Sequence, residues 1–137
     1  MEQELIKHVE ACIADPYKQH FAYNQLIRYY YGLRNEDSYY MNRLIVACEN
    51  DIELFPQFIV AFRNSVNPPY PETLIPSIPS FRYLCRVYEK IGMIDQAIRI
   101  CELAIKYGVD DNTKGGFEGR LDRLKKNNSS RLTRDSS

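Results

Sequence analysis

The sequence lacks the features that mark membrane-spanning, secreted or strongly charged proteins. No apolar run approaches the roughly 18 residues of a membrane span. The amphipathic start MEQELIKHVEAC, with acidic residues at its beginning, is unlike a secretory signal. The 18 basic and 18 acidic residues balance to a net charge of zero, so no attraction of the whole molecule to nucleic acid or to a membrane is indicated. We therefore expect a cytoplasmic protein without a membrane partner.

Residues that bind metals are few and are not clustered. The four cysteines form no CxxC pair and fall on the apolar sides of predicted helices, so we expect reduced thiols packed as small hydrophobic residues. They are Cys12, Cys48, Cys85 and Cys101. His8 lies one helical turn before Cys12 and supplies only half of a zinc site, and His20 is the one other histidine. We expect neither a metal nor a cofactor.

No set of residues has the pattern that catalysis requires. Neither histidine lies near a nucleophile motif, and the acidic residues are scattered over helix surfaces without a carboxylate pair. We therefore predict that the protein is not an enzyme and has no catalytic residue.

Helical periodicity extends along almost the whole chain. Apolar residues recur at the i, i+3, i+4 and i+7 spacing of one helix face, and Asp15-Pro16 supplies a cap and a proline suited to the first helical position. Pro56 is predicted to break the third helix. The helices are predicted at about 2–14, 16–31, 38–54, 56–64, 80–91, 94–107 and 114–126.

The segment 67–79, NPPYPETLIPSIP, contains five of the seven prolines. Proline fixes φ and has no backbone donor, so we predict an extended connector. Its Leu74, Ile75 and Ile78 are too apolar for a free linker, and we expect the segment to lie over the helices of the same domain. Residues 127–137 have too little apolar content to order themselves. The prediction is one domain over 1–126 and a disordered polar tail.

The only glycine-rich stretch is KGGFEGR, at residues 114–120. It is not a phosphate loop, because no GKS or GKT follows and no strand precedes it. Three glycines in a short helix cost roughly 0.5–1 kcal/mol each relative to alanine. We expect close approach to the preceding helix to compensate, with an exposed contact loop as the alternative.

The segment 79–109, PSFRYLCRVYEKIGMIDQAIRICELAIKYGV, resembles a tetratricopeptide (TPR) unit. Aromatic, small and bulky residues fall where that repeat places them. They are Phe81, Leu84, Tyr88, Gly92, Ala97, Cys101 and Ala104. The resemblance implies an antiparallel helix pair that forms a surface for another macromolecule and has no chemistry of its own.

Residues 23–50 resemble a degenerate second copy. Leu26 and Tyr30 align with Leu84 and Tyr88, at a separation of 58 residues, which exceeds the usual period of about 34. The resemblance then implies an all-α fold, a short TPR-like right-handed solenoid of about six to seven antiparallel helices. The alternative is a helical bundle with a single TPR hairpin.

In TPR proteins the first helix of each pair lines a concave groove that often holds acidic peptides. Mapped onto this chain, the resemblance places there Arg82, Arg86 and Lys90 from the good copy, with Asn24 and Arg28 from the degenerate one. Arginine suits carboxylates because its planar fork bonds both oxygens. The alternative is a solvated helix face with Glu89 and Asp95 as local counter-charge.

Tyrosine is abundant, with eleven residues, and five of them cluster around one predicted turn. They are Tyr29, Tyr30, Tyr31, Tyr39 and Tyr40. Three consecutive helical residues cannot all face one core stripe, so at least one should be exposed. Tyrosine is enriched at binding hot spots, and we predict Tyr29 or Tyr39 at an interface. Packing of the cluster between helices is the alternative.

Together these features predict a protein–protein interaction module, an adaptor or an inhibitor that binds a larger partner protein or an acidic peptide. Self-association into a homodimer is one version of this prediction. Similar endings occur in small bacterial TPR proteins, so we expect a bacterial or phage origin. The alternative function is nucleic-acid binding by a basic C-terminal helix and tail. The basic residues there are Arg120, Arg123, Lys125, Lys126, Arg131 and Arg134.

Overall fold

The computed structural model describes residues 1–110 and 113–135, with side chains up to residue 128. Over these residues the chain forms six helices and no strand, so the predicted all-α class is confirmed. The helices are α1 (Glu2–Ala11), α2 (Pro16–Leu33), α3 (Ser38–Arg63), α4 (Pro79–Lys90), α5 (Ile94–Tyr107) and α6 (Gly116–Asp135). The chain divides into two compact units, Met1–Ile75 and Pro76–Ser137.

In the first unit α1, α2 and α3 are antiparallel in chain order. Tyr30 near the end of α2 donates a hydrogen bond to Glu2 at the start of α1. Gln19 near the start of α2 donates one to the carbonyl of Val9 near the end of α1. Tyr17 at the start of α2 lies against Phe58 near the end of α3, with ring centroids 6.1 Å apart. The core of this unit comes mainly from α2 and α3. Its most buried apolar residues include Ala22, Leu26, Ile27, Leu44, Cys48, Ile52, Phe55 and Phe58.

Capping explains where α2 begins. The Asp15 side chain accepts a hydrogen bond from the backbone N–H of Lys18 at 3.1 Å, and Pro16 occupies the first turn. Both features were predicted. The helix then continues through Gly32 and ends at Leu33, two residues later than predicted.

The predicted break at Pro56 is wrong, because α3 runs without interruption from Ser38 to Arg63. An internal proline costs a helix roughly 3 kcal/mol. Beyond it, Phe58 and Ile59 are buried, and burial of each side chain contributes about 1.5–3 kcal/mol. Pro56 itself is exposed. The packing of α3 against α2 therefore offsets the local cost of the proline.

The proline-rich segment contains no helix from Asn67 to Ile78, in agreement with the prediction, and α4 begins at Pro79. The first half of the segment lies on the end of α3, where Tyr70 stacks on Phe62 with ring centroids 4.8 Å apart. Ile78, at its far end, is buried. The boundary between the two units falls inside this segment, after Ile75.

In the second unit α4 and α5 form an antiparallel hairpin at the positions predicted. Phe81 at the start of α4 lies 6.3 Å from Tyr107 at the end of α5, and the Cys85 and Cys101 sulfurs are 3.5 Å apart midway along. Small residues permit this approach. The side chains of Cys85, Ala97, Cys101 and Ala104 are completely buried.

The final helix α6 begins and ends later than predicted. It starts at Gly116, and its backbone stays helical to Asp135 through the polar stretch 127–135; residues 136–137 lie outside the described residues. This stretch is polar, but it contains no proline or glycine to stop a helix that is already nucleated. Phe117 and Leu124 are buried.

We predicted that close packing against the preceding helix explains the glycines before and within α6. The structure does not bear this out. A Cβ on Gly115, Gly116 or Gly119 would meet no atom closer than 3.4 Å. Gly115 and Gly116 instead have φ of 86° and 61°, a conformation that other residues adopt only with strain. The first two glycines thus form the turn into α6.

Gly108 also adopts positive φ, at 75°, where it ends α5. We expect Gly108→Ala to lower the free energy of unfolding by about 1 kcal/mol, because a Cβ is disfavoured in this conformation. Gly32→Ala is the control. Gly32 lies inside α2 with open space around it, so alanine there should raise stability by about 0.5–1 kcal/mol. Thermal denaturation followed by circular dichroism would measure both, and equal shifts in one direction would contradict the prediction.

Candidate functional site

The basic residues predicted on α4 form one row along the helix. Arg82, Arg86 and Lys90 follow one another at intervals of four residues, and such residues lie on one helix face. Arg86 and Lys90 are exposed, and Arg82 is half-buried with its guanidinium 5.4 Å from the centre of the Tyr83 ring. We call these three residues the α4 basic row.

One of the acidic residues expected to balance this row has another partner. Glu89 lies on α4, and its carboxylate is 3.8 Å from the guanidinium of Arg120 on α6. Arg120 is mostly buried. The carboxylate of Glu89 therefore balances the charge of a buried arginine in its own unit. Asp95, in the first turn of α5, is exposed.

The residues predicted from the degenerate copy belong to the other unit and do not act alike. Arg28 on α2 is exposed, but Asn24 is half-buried. The Asn24 amide nitrogen lies 3.4 Å from Nε2 of His20, inside the first unit. Asn24 is therefore directed toward the interior of that unit, and Arg28 is the exposed member of the pair.

The tyrosine cluster chiefly attaches α1 to the two longer helices. Tyr30 is buried, and Tyr39 is 42% exposed. The hydroxyls of both donate to the same carboxylate oxygen of Glu2, each at 2.7 Å. Tyr29 is half-buried between Tyr30 and Tyr40, with ring centroids 5.6 and 6.3 Å away. Of the two tyrosines predicted to be exposed, Tyr39 is the more accessible.

This hydrogen bonding shifts the ionisation of both partners. The pKa of Glu2 is lowered because Tyr39 and Tyr30 donate to its carboxylate, an effect that burial opposes and the charge of Arg43 reinforces. The pKa of Tyr30 is raised by burial and by its hydrogen bond to Glu2. The carboxylate of Glu2 thus stabilises the docking of α1 when it is ionised.

A buried histidine–aspartate pair was not predicted. Nδ1 of His20 on α2 lies 2.8 Å from a carboxylate oxygen of Asp51 on α3, and the two residues are only 2% and 1% exposed. Phe58 covers the imidazole, with ring centroids 4.0 Å apart. With Asn24 at Nε2, the imidazole lies in a row of three polar side chains between two helices.

One signal in the sequence could have revealed this pair. Asp51 lies in the apolar stripe of α3, between Cys48 and Phe55 at the i+3 and i+7 positions, where a charged residue needs a buried partner. The periodicity identifies Asp51 as exceptional, but it does not identify His20, because the partner comes from a different helix.

The thiol of Cys48, three residues before Asp51, does not have the properties of a nucleophile. Burial, followed by the charges of Asp51 and Glu49, raises the pKa of Cys48, so the thiol stays protonated at neutral pH. Cys85 and Cys101 are completely buried, and Cys12, 4.0 Å from the ring of His8, is half-buried. Within the described residues no three His, Cys, Asp or Glu side chains are grouped as a metal site would require.

The first unit also contains a groove, which we call the α1–α3 groove. Helices α1 and α3 both pack on α2, but their backbones do not pack on each other, so α2 forms the floor between two walls. Two concavities of about 230 and 300 Å³ share Tyr23 and Asn50. The aliphatic residues of the groove are Ile6, Val9, Ile13, Leu26, Val46, Ala47 and Leu54, and its charged residues are Glu10, Arg43 and Glu53.

Comparison with protein-family models, with curated proteins and with solved structures finds no match to this chain. The TPR resemblance therefore depends on the residues of the chain itself. Among the helices of the described residues, none combines the length and the apolar character that a membrane crossing requires.

The buried pair should matter for stability. We expect Asp51→Ala to lower the free energy of unfolding by about 3 kcal/mol, because it leaves the buried His20 without its partner. Glu53→Ala, on the same helix but exposed, is the control and should change stability by less than about 0.5 kcal/mol. Urea denaturation would measure both. Similar effects of the two substitutions would show that the pair contributes nothing specific.

The docking of α1 should depend on pH through Glu2. Its ordinary pKa is 4.5 and its pKa in the folded state is lower. The stabilisation is therefore present above about pH 4.5 and is lost as the pH falls through the lowered value. In thermal melts Glu2→Gln should lose stability relative to the wild type at neutral pH, and the difference should shrink below pH 4.5. Glu4→Gln, exposed on the same helix, should show no such convergence, and convergence there would refute the assignment.

Proposed function

We propose that this protein is a non-enzymatic interaction module that binds an acidic segment of a partner protein through the α4 basic row. The observation that carries the proposal is the exposure of Arg86 and Lys90 in line with Arg82 on one helix face. The TPR-like pattern of residues 79–109 places the same side chains on its binding face, as the resemblance implies.

The charges around the row support an acidic partner. Glu89 lies next to Lys90 in the sequence, and its carboxylate pairs with Arg120 of α6. Cations at intervals of four helical residues are about 6 Å apart. Carboxylates in a partner have similar spacing at every second residue of an extended strand or at every fourth residue of a helix. Each arginine can bond such a carboxylate with two parallel hydrogen bonds.

The nucleic-acid alternative has less support. Arg120 is mostly buried beside Glu89, and the ammonium group of Lys125 lies 3.9 Å from Glu102 of α5. Two of the basic residues that would neutralise phosphates are thus engaged within their own unit. Arg123 and Lys126 are exposed, and the side chains of Arg131 and Arg134 lie outside the described residues.

Charge reversal tests the acidic-partner proposal. A fluorescein-labelled peptide with glutamate at alternate positions should bind the wild-type protein and should lose at least about tenfold in affinity to the double variant Arg86→Glu, Lys90→Glu. The matched control is Arg99→Glu, Lys106→Glu, which changes the net charge equally at exposed positions of α5 and should retain most of the affinity. Fluorescence anisotropy at two salt concentrations would measure binding.

Two results would contradict the proposal. Unchanged binding by the α4 variant would show that the row is only a solvated face. Equal losses in both double variants would show that the peptide responds to overall charge and not to the row. Capture of partners from the native cell with the wild-type protein and the α4 variant would then identify the natural segment.

A further inference from the structure

We infer that the α1–α3 groove is the docking site for an amphipathic α-helix of another protein, which it holds antiparallel to α1 and α3. This inference concerns the first unit and is independent of the α4 basic row. It depends on the shape of the groove, on its exposed aliphatic residues and on the distribution of its charges.

The shape is that of a helical bundle from which one helix is missing. Helices α1 and α3 run parallel to each other on top of the antiparallel α2, and their backbones do not pack together. A fourth helix placed opposite α2 would be antiparallel to both α1 and α3. Together the four helices would have the arrangement of a four-helix bundle. From Arg43 to Gln57, both of which line the groove, α3 advances about 21 Å at 1.5 Å per residue. That length matches about four turns of a docked helix.

Aliphatic side chains are exposed on the α3 wall and just beyond the end of the α1 wall. On α3, Val46 is 51% exposed, and beyond the end of α1, Ile13 is 75% exposed. Leu26 of α2 provides an apolar floor, and Ala47 adds an apolar side chain to the α3 wall. A stripe of apolar residues at i, i+3, i+4 and i+7 on a docked helix would cover this surface, which is the usual way that a groove receives a helix.

The charges of the groove select the direction of the docked helix. Arg43 lies at the end of the groove near Tyr30, and Glu53 lies toward the end near Ile13 and Gln57. Glu10 is on the α1 wall. A helix has a partial positive charge at its N-terminus and a partial negative charge at its C-terminus. Its C-terminal end with acidic residues therefore suits Arg43, and its N-terminal end with basic residues suits Glu53.

Two helices of a second copy are poorer occupants. Helix α5 has acidic Asp95 in its first turn and basic Lys106 in its last, which is the opposite of the charge order that suits the groove. Helix α1 has acidic residues near both ends, with Glu2 and Glu4 in its first turn and Glu10 in its last. A helix from a different protein, basic in its first half and acidic in its second, is complementary to the groove.

The test uses two labelled peptides of about four helical turns with the same apolar stripe. The forward peptide has lysines in its first half and glutamates in its second, and the reversed peptide exchanges them. Anisotropy should show that the full chain binds the forward peptide at least about tenfold more tightly. Arg43→Glu should reduce that preference, because it removes the charge that selects direction.

Val46→Glu should abolish binding of the forward peptide, whereas Val60→Glu should leave it unchanged. Val60 is the matched control because it is 54% exposed on the same helix and does not line the groove. Ile13→Glu, beyond the end of α1, is the second variant if Val46→Glu disturbs folding, which circular dichroism would show.

Three results would overturn the inference. Two of them are binding that survives both Val46→Glu and Ile13→Glu, and equal affinity for the two peptides. Light scattering that reveals a wild-type dimer converted to a monomer by Val46→Glu would also overturn it, because the occupant would then be a second copy.

Discussion

The first unit depends on one buried pair of titratable side chains, the hydrogen-bonded His20 and Asp51. Apolar helix faces can slide past one another at modest cost, but a carboxylate in the core cannot lose its partner without a large desolvation penalty. The pair therefore restricts α2 and α3 to one register. On α2, Leu26 and Tyr30 line the α1–α3 groove, and the Tyr30 hydroxyl donates to Glu2 of α1.

The two candidate surfaces use different physical interactions. The α4 basic row consists of long, charged side chains, and its attraction for a partner would be electrostatic, sensitive to salt and tolerant of the partner's sequence. The α1–α3 groove combines exposed aliphatic residues with a few charges, so its binding would depend mainly on apolar burial, and the charges would select direction. The two proposals are independent of each other, because the surfaces lie in different units and use different interactions.

The errors in the sequence-based prediction have a common cause. Pro56 was judged by local propensity, and the helix continues through it. At Pro56 the buried residues beyond the proline outweigh its cost. The glycines at 115 and 116 were attributed to helix packing, whereas the backbone conformation of the turn requires them. Local rules succeeded where the determining contact is itself local, as at the Asp15 cap.

The sequence by itself determined the helical class and the Asp15 cap, because these depend on neighbours within a few residues along the chain. The pattern of small residues also predicted the hairpin of α4 and α5. The sequence also identified the basic row, since residues four apart on a helix share a face whatever surrounds them. Only the tertiary structure decided that His20 meets Asp51, that Glu2 accepts from two tyrosines and that α1 and α3 leave a groove between them. Those features join residues from different helices, and the periodicity of one helix contains no information about the position of the next.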